Sequence, residues 1–235
     1  MSFIKPRIVD NGDAGLTIFY DQPTSEKLTR KIVTIDKEIR NSMGKSILDV
    51  IPSYQSITVI FSLLELSKRQ AKKKLRDILK IPIEPSNYIS KLLEIPVCYG
   101  GSYGSDLAYL GGHCHLSEKR IIQEHTQNEY LVHMLGFLPG FLYLGGLNES
   151  LFCPRKNRPE LRIPKGSVGI GGNQTGIYPI ESPGGWQIIG RTPVPLFDPA
   201  RDTPAFASPL DRIRFVAISH SEFLALEQDY SASQR

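Results

Sequence analysis

Cysteine is scarce in these 235 residues: Cys98, Cys114 and Cys153 are the only three, at irregular spacing. An odd, scattered set does not make a disulfide framework, so we expect reduced thiols and a cytoplasmic protein. A charge of one sign is lacking too. Lysine and arginine total 28 against 24 acidic residues, a net charge of +4, which gives no reason to expect a nucleic-acid partner. The densest basic run, KRQAKKKLR at 68–76, has no interleaved aromatics. It reads as the solvated face of an amphipathic helix with Leu75, Ile78 and Leu79 turned inward. Apolar runs such as 57–64 are far too short to cross a bilayer. The opening MSFIKPRIVDNGD has no apolar core of a secretory signal, so no membrane association is expected. The standard catalytic signatures are missing as well: there is no Walker A sequence, no G-x-S-x-G and no H-E-x-x-H.

What is abundant is glycine and proline, concentrated in residues 135–191 around the only tryptophan, Trp186. GFLPGFLYLGGL and IPKGSVGIGGNQTGIYPIESPGGWQIIGRTP both lie there. Glycine allows positive φ and close backbone approach, and proline fixes φ. A linker would not interleave these residues with Val, Ile, Phe, Tyr and Trp. The segment reads as short strands joined by specified turns whose backbone lines something.

In chain order, residues 4–9 and 15–20 read as strands across a turn-rich DNGDAG. Residues 25–40 carry Leu28, Ile32, Ile35 and Ile39 on one helical stripe, with Thr24 or Ser25 as cap. Strands at 47–51 and 56–61 and a helix at 67–79 complete a small α+β layer with helices on one sheet face. Periodicity is lost through 81–90, and we place the domain boundary there: 1–85 and 86–235. The second part opens with a strand at 94–99 and a tight turn at 99–104. A helix follows over 117–132, then the glycine-rich strands, a strand at 211–219 and a short terminal helix at 222–228. Many short strands with Gly/Pro turns predict a closed or nearly closed β-barrel.

Several residues are candidates for chemistry. The loop GIGGNQTG (169–176) offers either a cradle of backbone N–H groups for an anion or simple barrel turns. Gln174 and Thr175 are its polar groups able to orient a small amide or carboxylate. His113-Cys114-His115, His125 and His133 invite a metal. However, H-C-H puts its histidines on opposite sides of a strand or in a loop, and His125 and His133 are too far apart, so no metal site is expected. His125 is either a polar group in a pocket or a hydrogen-bonded packing histidine. Trp186, after two glycines, folds back as a floor or packs in the core. Arg191 either clamps an anion or pairs with Asp198 or Asp211. Arg155, Lys156 and Arg158 read as solvated loop residues.

These stretches carry a family resemblance. EIPVCYGGSYGSDL (94–107), HTQNEYLVHMLGFLPGFLYLGGL (125–147), the run from Pro154 to Asp198 with its SPGGW…GRTP…LFD spacing, DRIRF (211–215) and the earlier DVIPSY (49–54) resemble the family of 5-oxoprolinase B subunits. That family is also described as KipI-type sporulation kinase inhibitors or as allophanate hydrolase subunit 1. The resemblance implies a ferredoxin-like α+β N-terminal domain followed by a mainly-β cyclophilin-like barrel. It implies a non-autonomous component that cleaves 5-oxo-L-proline to L-glutamate together with the 5-oxoprolinase A and C subunits, the latter KipA-like. ATP and Mg2+ would be used at the level of the complex, with no tightly bound cofactor in this chain. The alternatives are an inhibitor that grips the dimerisation region of a sensor histidine kinase, or one part of an enzyme for allophanate or urea. From motif position, His125, Gln174 and Arg191 are the candidate catalytic residues. Gly140, Phe141, Gly172, Thr175 and Trp186 are the candidate substrate-binding residues. Members usually carry Gly-Asp before the last strand, where this chain has Leu210.

Overall fold

The structure is a computed structural model that describes residues 5–81 and 88–232. The chain divides into two units, Met1–Ile89 and Ser90–Arg235. The expected break after residue 85 and the expected strand start at residue 4 lie outside the described residues.

In the first unit, β-branched stretches form β1 (Arg7–Asp10), β2 (Gly15–Phe19), β3 (Ile47–Pro52) and β4 (Ser56–Phe61). They pair antiparallel in the order β1-β2-β4-β3. Helix α1 (Glu26–Met43) follows β2, and α2 (Lys68–Ile78) follows β4. Ser25 caps α1 by accepting from the Leu28 N–H, and Ser67 with Gln70 forms a capping box on α2. Leu28, Ile32, Ile35 and Ile39 of α1 join Ala71, Leu75 and Ile78 of α2 over Leu16, Ile18, Ile57, Val59 and Phe61 of the sheet. This is the ferredoxin-like strand order, with one edge strand supplied from before β2 instead of after α2. The basic run on α2 points its lysines away from that core, and Lys72 pairs with Asp10 at 2.9 Å.

The second unit is built on a closed seven-strand barrel. Its elements in chain order are β5 (Leu92–Tyr99), α3 (Leu107–Cys114), α4 (Glu118–Thr126), β6 (Glu129–Leu135), β7 (Leu142–Gly145), β8 (Glu160–Ile163), β9 (Ser167–Gly171), β10 (Gln174–Ile177), β11 (Ser182–Gly184), β12 (Gln187–Arg191), β13 (Arg212–Ala217) and α5 (His220–Ala232). The barrel runs β10-β7-β6-β13-β5-β12-β9, and β8 and β11 pair separately. Within the barrel β13 and β5 are parallel; the other pairs are antiparallel. Strand alternation turns Leu142, Leu144, Val168, Ile170 and Ile177 into the barrel core.

Two expectations fail here. The helix expected over 117–132 stops at Thr126, and Tyr130 and Val132 belong to β6. His113 and Cys114 sit in the last turn of α3, and His115 is its left-handed C-cap at φ 55°, so the H-C-H run is neither strand nor loop. Leu210 adopts φ 79°, a conformation glycine takes without cost. It is held there because the Leu210 N–H donates to the Val132 carbonyl, while the Asp211 carboxylate accepts from the Lys91 and Ser208 N–H groups.

His125 on α4 is fully buried in the barrel. Thr175 has one hydroxyl proton and gives it to the Gly169 carbonyl at 3.1 Å. It therefore accepts from His125 Nε2–H at 2.9 Å. This leaves His125 Nδ1 to accept from the Tyr99 hydroxyl at 2.8 Å. Phe215 stacks on the imidazole at 4.4 Å, and the Tyr130 hydroxyl donates to the His125 carbonyl. Burial lowers the His125 pKa to about 3, so the ring is neutral and every polar atom of this chain of bonds is satisfied. The network contributes stability that is complete above the ordinary value of 6.5 and is lost as pH falls toward 3. The urea midpoint should therefore fall through that interval. In His125→Gln, which takes up no proton, the fall should be shallower from a lower neutral-pH midpoint; equal slopes in the two proteins would contradict the assignment.

Candidate functional site

The glycines of 169–176 do a specific job. Along β9, Val168 and Ile170 face the core, so Gly169 and Gly171 face outward; along β10, Thr175 and Ile177 face in and Gly176 faces out. Gly169 lies opposite Gly176, and Gly176 opposite Tyr143 of β7. The outer wall is thus bare main chain, and the Trp186 indole lies on it. A methyl group at Gly171 would come 2.5 Å from indole Cδ1 and Nε1, and one at Gly176 would come 2.9 Å from Cζ3. In this loop the Gly172 N–H is spent on the Cys153 carbonyl at 2.7 Å.

Around the indole stands an aromatic cluster. Phe141 meets Trp186 edge-on at 5.6 Å, and Tyr178 meets both rings edge-on. With Tyr143 and Phe137 they line an open pocket of about 250 Å³ on the outer face of the barrel. Among the described residues, Arg155 is the one charged member of the lining, its guanidinium 5.8 Å from the Trp186 ring. Burial pushes the Tyr143 and Tyr178 hydroxyls above the ordinary tyrosine pKa, against the opposing pull of Arg155. Both are protonated donors at neutral pH.

The loop that carries Arg155 is anchored at the next residue. The Lys156 N–H donates to the Gly185 carbonyl at 2.6 Å, and its ammonium pairs with Asp106 at 2.6 Å and with Glu160. Burial works against that ammonium, but its bonds to Asp106 and Glu160 outweigh burial and raise its pKa. Asp106 also accepts from the Ile188 N–H at 2.7 Å, so the loop, the start of α3 and β12 are tied together. Lys156 is thus a half-buried ion-paired residue, where the sequence suggested a solvated one.

The expected site residues are not all brought together. Phe141 and Trp186 line the pocket. Gly140, at φ 82°, precedes Phe141 and packs so closely on Leu196 and Phe197 that a methyl group there would sit 2.7 Å from Phe197 Cβ. His125 and Thr175 meet each other, but on the inner side of the wall. Gln174 opens β10 beside the hairpin, and Gly172 is the turn itself. Neither is a lining residue. Arg191 donates from Nε to the Lys165 carbonyl at 2.8 Å and lies near the rings of Tyr103 and Phe223. It pairs with neither Asp198, which bonds Arg201, nor Asp211. Arg155, Tyr143, Tyr178 and Phe137 are pocket residues that sequence reasoning missed. The alternation Phe141-Leu142-Tyr143-Leu144, which puts both rings on one face of a strand, was the available signal. Among the described residues, no group of three His, Cys, Asp or Glu side chains is placed to hold a metal ion. No helix of the described residues is long and apolar enough to cross a membrane.

Comparison with known proteins places this architecture. Residues 6–207 match the model of the carboxyltransferase domain, subdomain C and D. The B subunit of 5-oxoprolinase from Escherichia coli O157:H7 is 48% identical over 173 residues, covering 73% of this chain and 78% of that one. The B subunit of 5-oxoprolinase from Bacillus subtilis is 35% identical over 236 residues, covering 96% of this chain and 98% of that one. The solved K. lactis urea amidolyase superposes with a TM-score of 0.82 at 18% identity over 97% of this chain, which spans only 16% of that longer protein. That likeness is one of fold. On the family match and the two bacterial relatives together, this chain belongs to the carboxyltransferase subdomain C and D family, alongside the B subunits of 5-oxoprolinase.

Proposed function

We propose that this chain is the B subunit of an ATP-dependent 5-oxoprolinase, which opens 5-oxo-L-proline to L-glutamate together with the A and C subunits. The end-to-end match to a protein of that name supports this identity, and the chemistry of the pocket supports its dependence on partners. Opening a lactam needs an activated carbonyl carbon, a nucleophile and a proton for the departing nitrogen. The lining offers aromatic rings, two protonated tyrosine hydroxyls and one guanidinium. It contains no carboxylate, imidazole, amine or thiol among the described residues. Such a lining binds and orients; it does not move protons at neutral pH.

The reading therefore assigns phosphoryl transfer, with ATP and Mg2+, to the complex. Phosphorylation of the amide oxygen gives an imidate-like carbon. Water adds there, the C–N bond breaks as nitrogen takes a proton, and hydrolysis of the resulting acyl phosphate releases phosphate. This chain's contribution is to hold the ring and to balance the substrate's charge with Arg155. A second reading, carboxyl transfer to a small amide such as urea, is favoured by the fold match to the urea amidolyase. No observation favours a sensor histidine kinase as partner.

Glutamate release from 5-oxoproline with ATP and magnesium should be absent with this chain alone and present once the A and C subunits are added. Efficient turnover by the chain alone would sink the partner dependence. An assembled complex that releases no glutamate but carboxylates a small amide would install the second reading. Gly171→Ala should push the indole off its bed. We expect a loss of about 1–3 kcal/mol from overpacking, a changed near-ultraviolet dichroism from the sole tryptophan, and roughly tenfold lower activity in a complex that still assembles. Unchanged dichroism and activity would show that the indole's seat does not matter.

A further inference from the structure

We propose that the outer-wall pocket is the binding site of a small, flat lactam ring bearing a carboxylate, with Arg155 as the carboxylate clamp and Phe137 as the ring that closes over it. This rests on the 5-oxoprolinase reading for the identity of the ring.

The volume of about 250 Å³ lies below the roughly 300–1,000 Å³ that drug-sized ligands occupy, which suits a small metabolite. Phe141, Tyr143, Tyr178 and Trp186 provide flat apolar walls, and the protonated Tyr178 hydroxyl provides a donor for a lactam oxygen. Arg155 has no carboxylate partner among the described residues. Its guanidinium carbon lies 5.8 Å from the centre of the Trp186 ring, within reach of a carboxylate on a ligand held against that ring. Its neighbour Lys156 carries the ion pairs that fix the loop, so Arg155 is positioned without being neutralised.

Phe137 is the strained element. Its φ is 67°, and the Leu138 N–H donates to the Gly136 carbonyl across it at 2.8 Å. That is a γ-turn of the rare hand, which bulky residues adopt only at a cost. The strained residue presents its ring at 63% exposure on the pocket rim. Its ring meets the edge of Phe141, 5.6 Å away and nearly perpendicular. An aromatic side chain held by strain in solvent, beside an apolar pocket it could cover, gains burial when a ring is bound beneath it. Phe137 is therefore a specificity residue, selecting flat ligands.

The experiment uses the chain's one tryptophan. Fluorotryptophan at position 186 gives a single fluorine resonance inside the pocket, readable in the full chain alone and in the complex when only this chain is labelled. Titration with 5-oxoproline should shift the resonance saturably in at least one of those two states. Arg155→Gln should weaken 5-oxoproline by roughly tenfold or more while leaving 2-pyrrolidinone, the same ring without a carboxylate, unchanged. Phe137→Gly should weaken both ligands although it relieves the turn, and Phe137→Leu should recover only part of the loss. A merely structural role for Arg155 would not separate the two ligands in this way, and equal binding of both ligands by Phe137→Gly and the parent chain would remove Phe137 from the site. If the complex releases glutamate but 5-oxoproline moves the resonance in neither state, the pocket assignment is overturned and the function stands. If no glutamate is released and only an aromatic carboxylate such as benzoate shifts the resonance, the lactam assignment and the function fall together.

Discussion

The seating of one indole on bare main chain is the constraint that shapes the second unit. Trp186 can lie against β9 and β10 only because their outward positions Gly169, Gly171 and Gly176 carry no side chain. Glycine inside a strand costs roughly 0.5–1 kcal/mol of extra chain entropy, and several in one wall would weaken it. Burial of the indole, with Phe141 and Tyr178 against its edges, offsets that cost. Other features follow from this seat. Gly184 leaves room for the Tyr178 hydroxyl, which a methyl group there would meet at 2.4 Å. The Gly185 carbonyl next to Trp186 anchors Lys156, and so sets where Arg155 stands.

The same two strands face a different chemistry on the inside. Thr175 points inward to the His125 network, while its neighbour Gly176 bears the indole on the outer side. A one-residue slip would exchange the two faces, burying glycine and exposing threonine and isoleucine. The satisfied bonds from Tyr99 through His125 to Thr175 and the Gly169 carbonyl work against that slip. They cross from β5 through α4 to β10 and β9 and fit only one register. We read the histidine as a register lock, which explains why a titratable residue is sealed neutral away from any solvent.

Much of the fold is legible in the sequence because it depends on period. The stripe Leu28, Ile32, Ile35, Ile39 marks α1, Ser25 marks its cap, and the Gly/Pro strands announce a barrel. The failures have local causes. Helix α3 contains Gly111 and Gly112 and is hidden by low propensity. The end of helix α4 is masked because Tyr130 and Val132 continue its apolar spacing by chance, although their β-branched and aromatic character suits β6. Site reading is harder. Phe141 and Trp186 stand out by position within motifs. Gln174, Thr175 and His125 attract notice for their polarity, and strand parity sends Thr175 inward, a fact visible only once register is known. Arg155 lies in a loop whose sequence looks solvated. Its neighbour Lys156 is held by Asp106, 50 positions away in the chain, and no local pattern encodes that pair.

The location of the pocket bears on why such a chain works with others. The barrel interior is filled by Val132, Leu144, Ile170, Ile213 and Phe215, so a ligand finds no room there. The available surface is the outer wall, where the pocket is open to solvent. An open aromatic pocket gives shape and charge complementarity but cannot keep water from an activated intermediate. Nor, among the described residues, does its lining contain a group that shuttles protons at neutral pH. A surface from a partner protein would supply both the cover and the reactive groups. The exposed ring of Phe137 on the pocket rim fits that arrangement: it gains burial when ligand and covering surface arrive together.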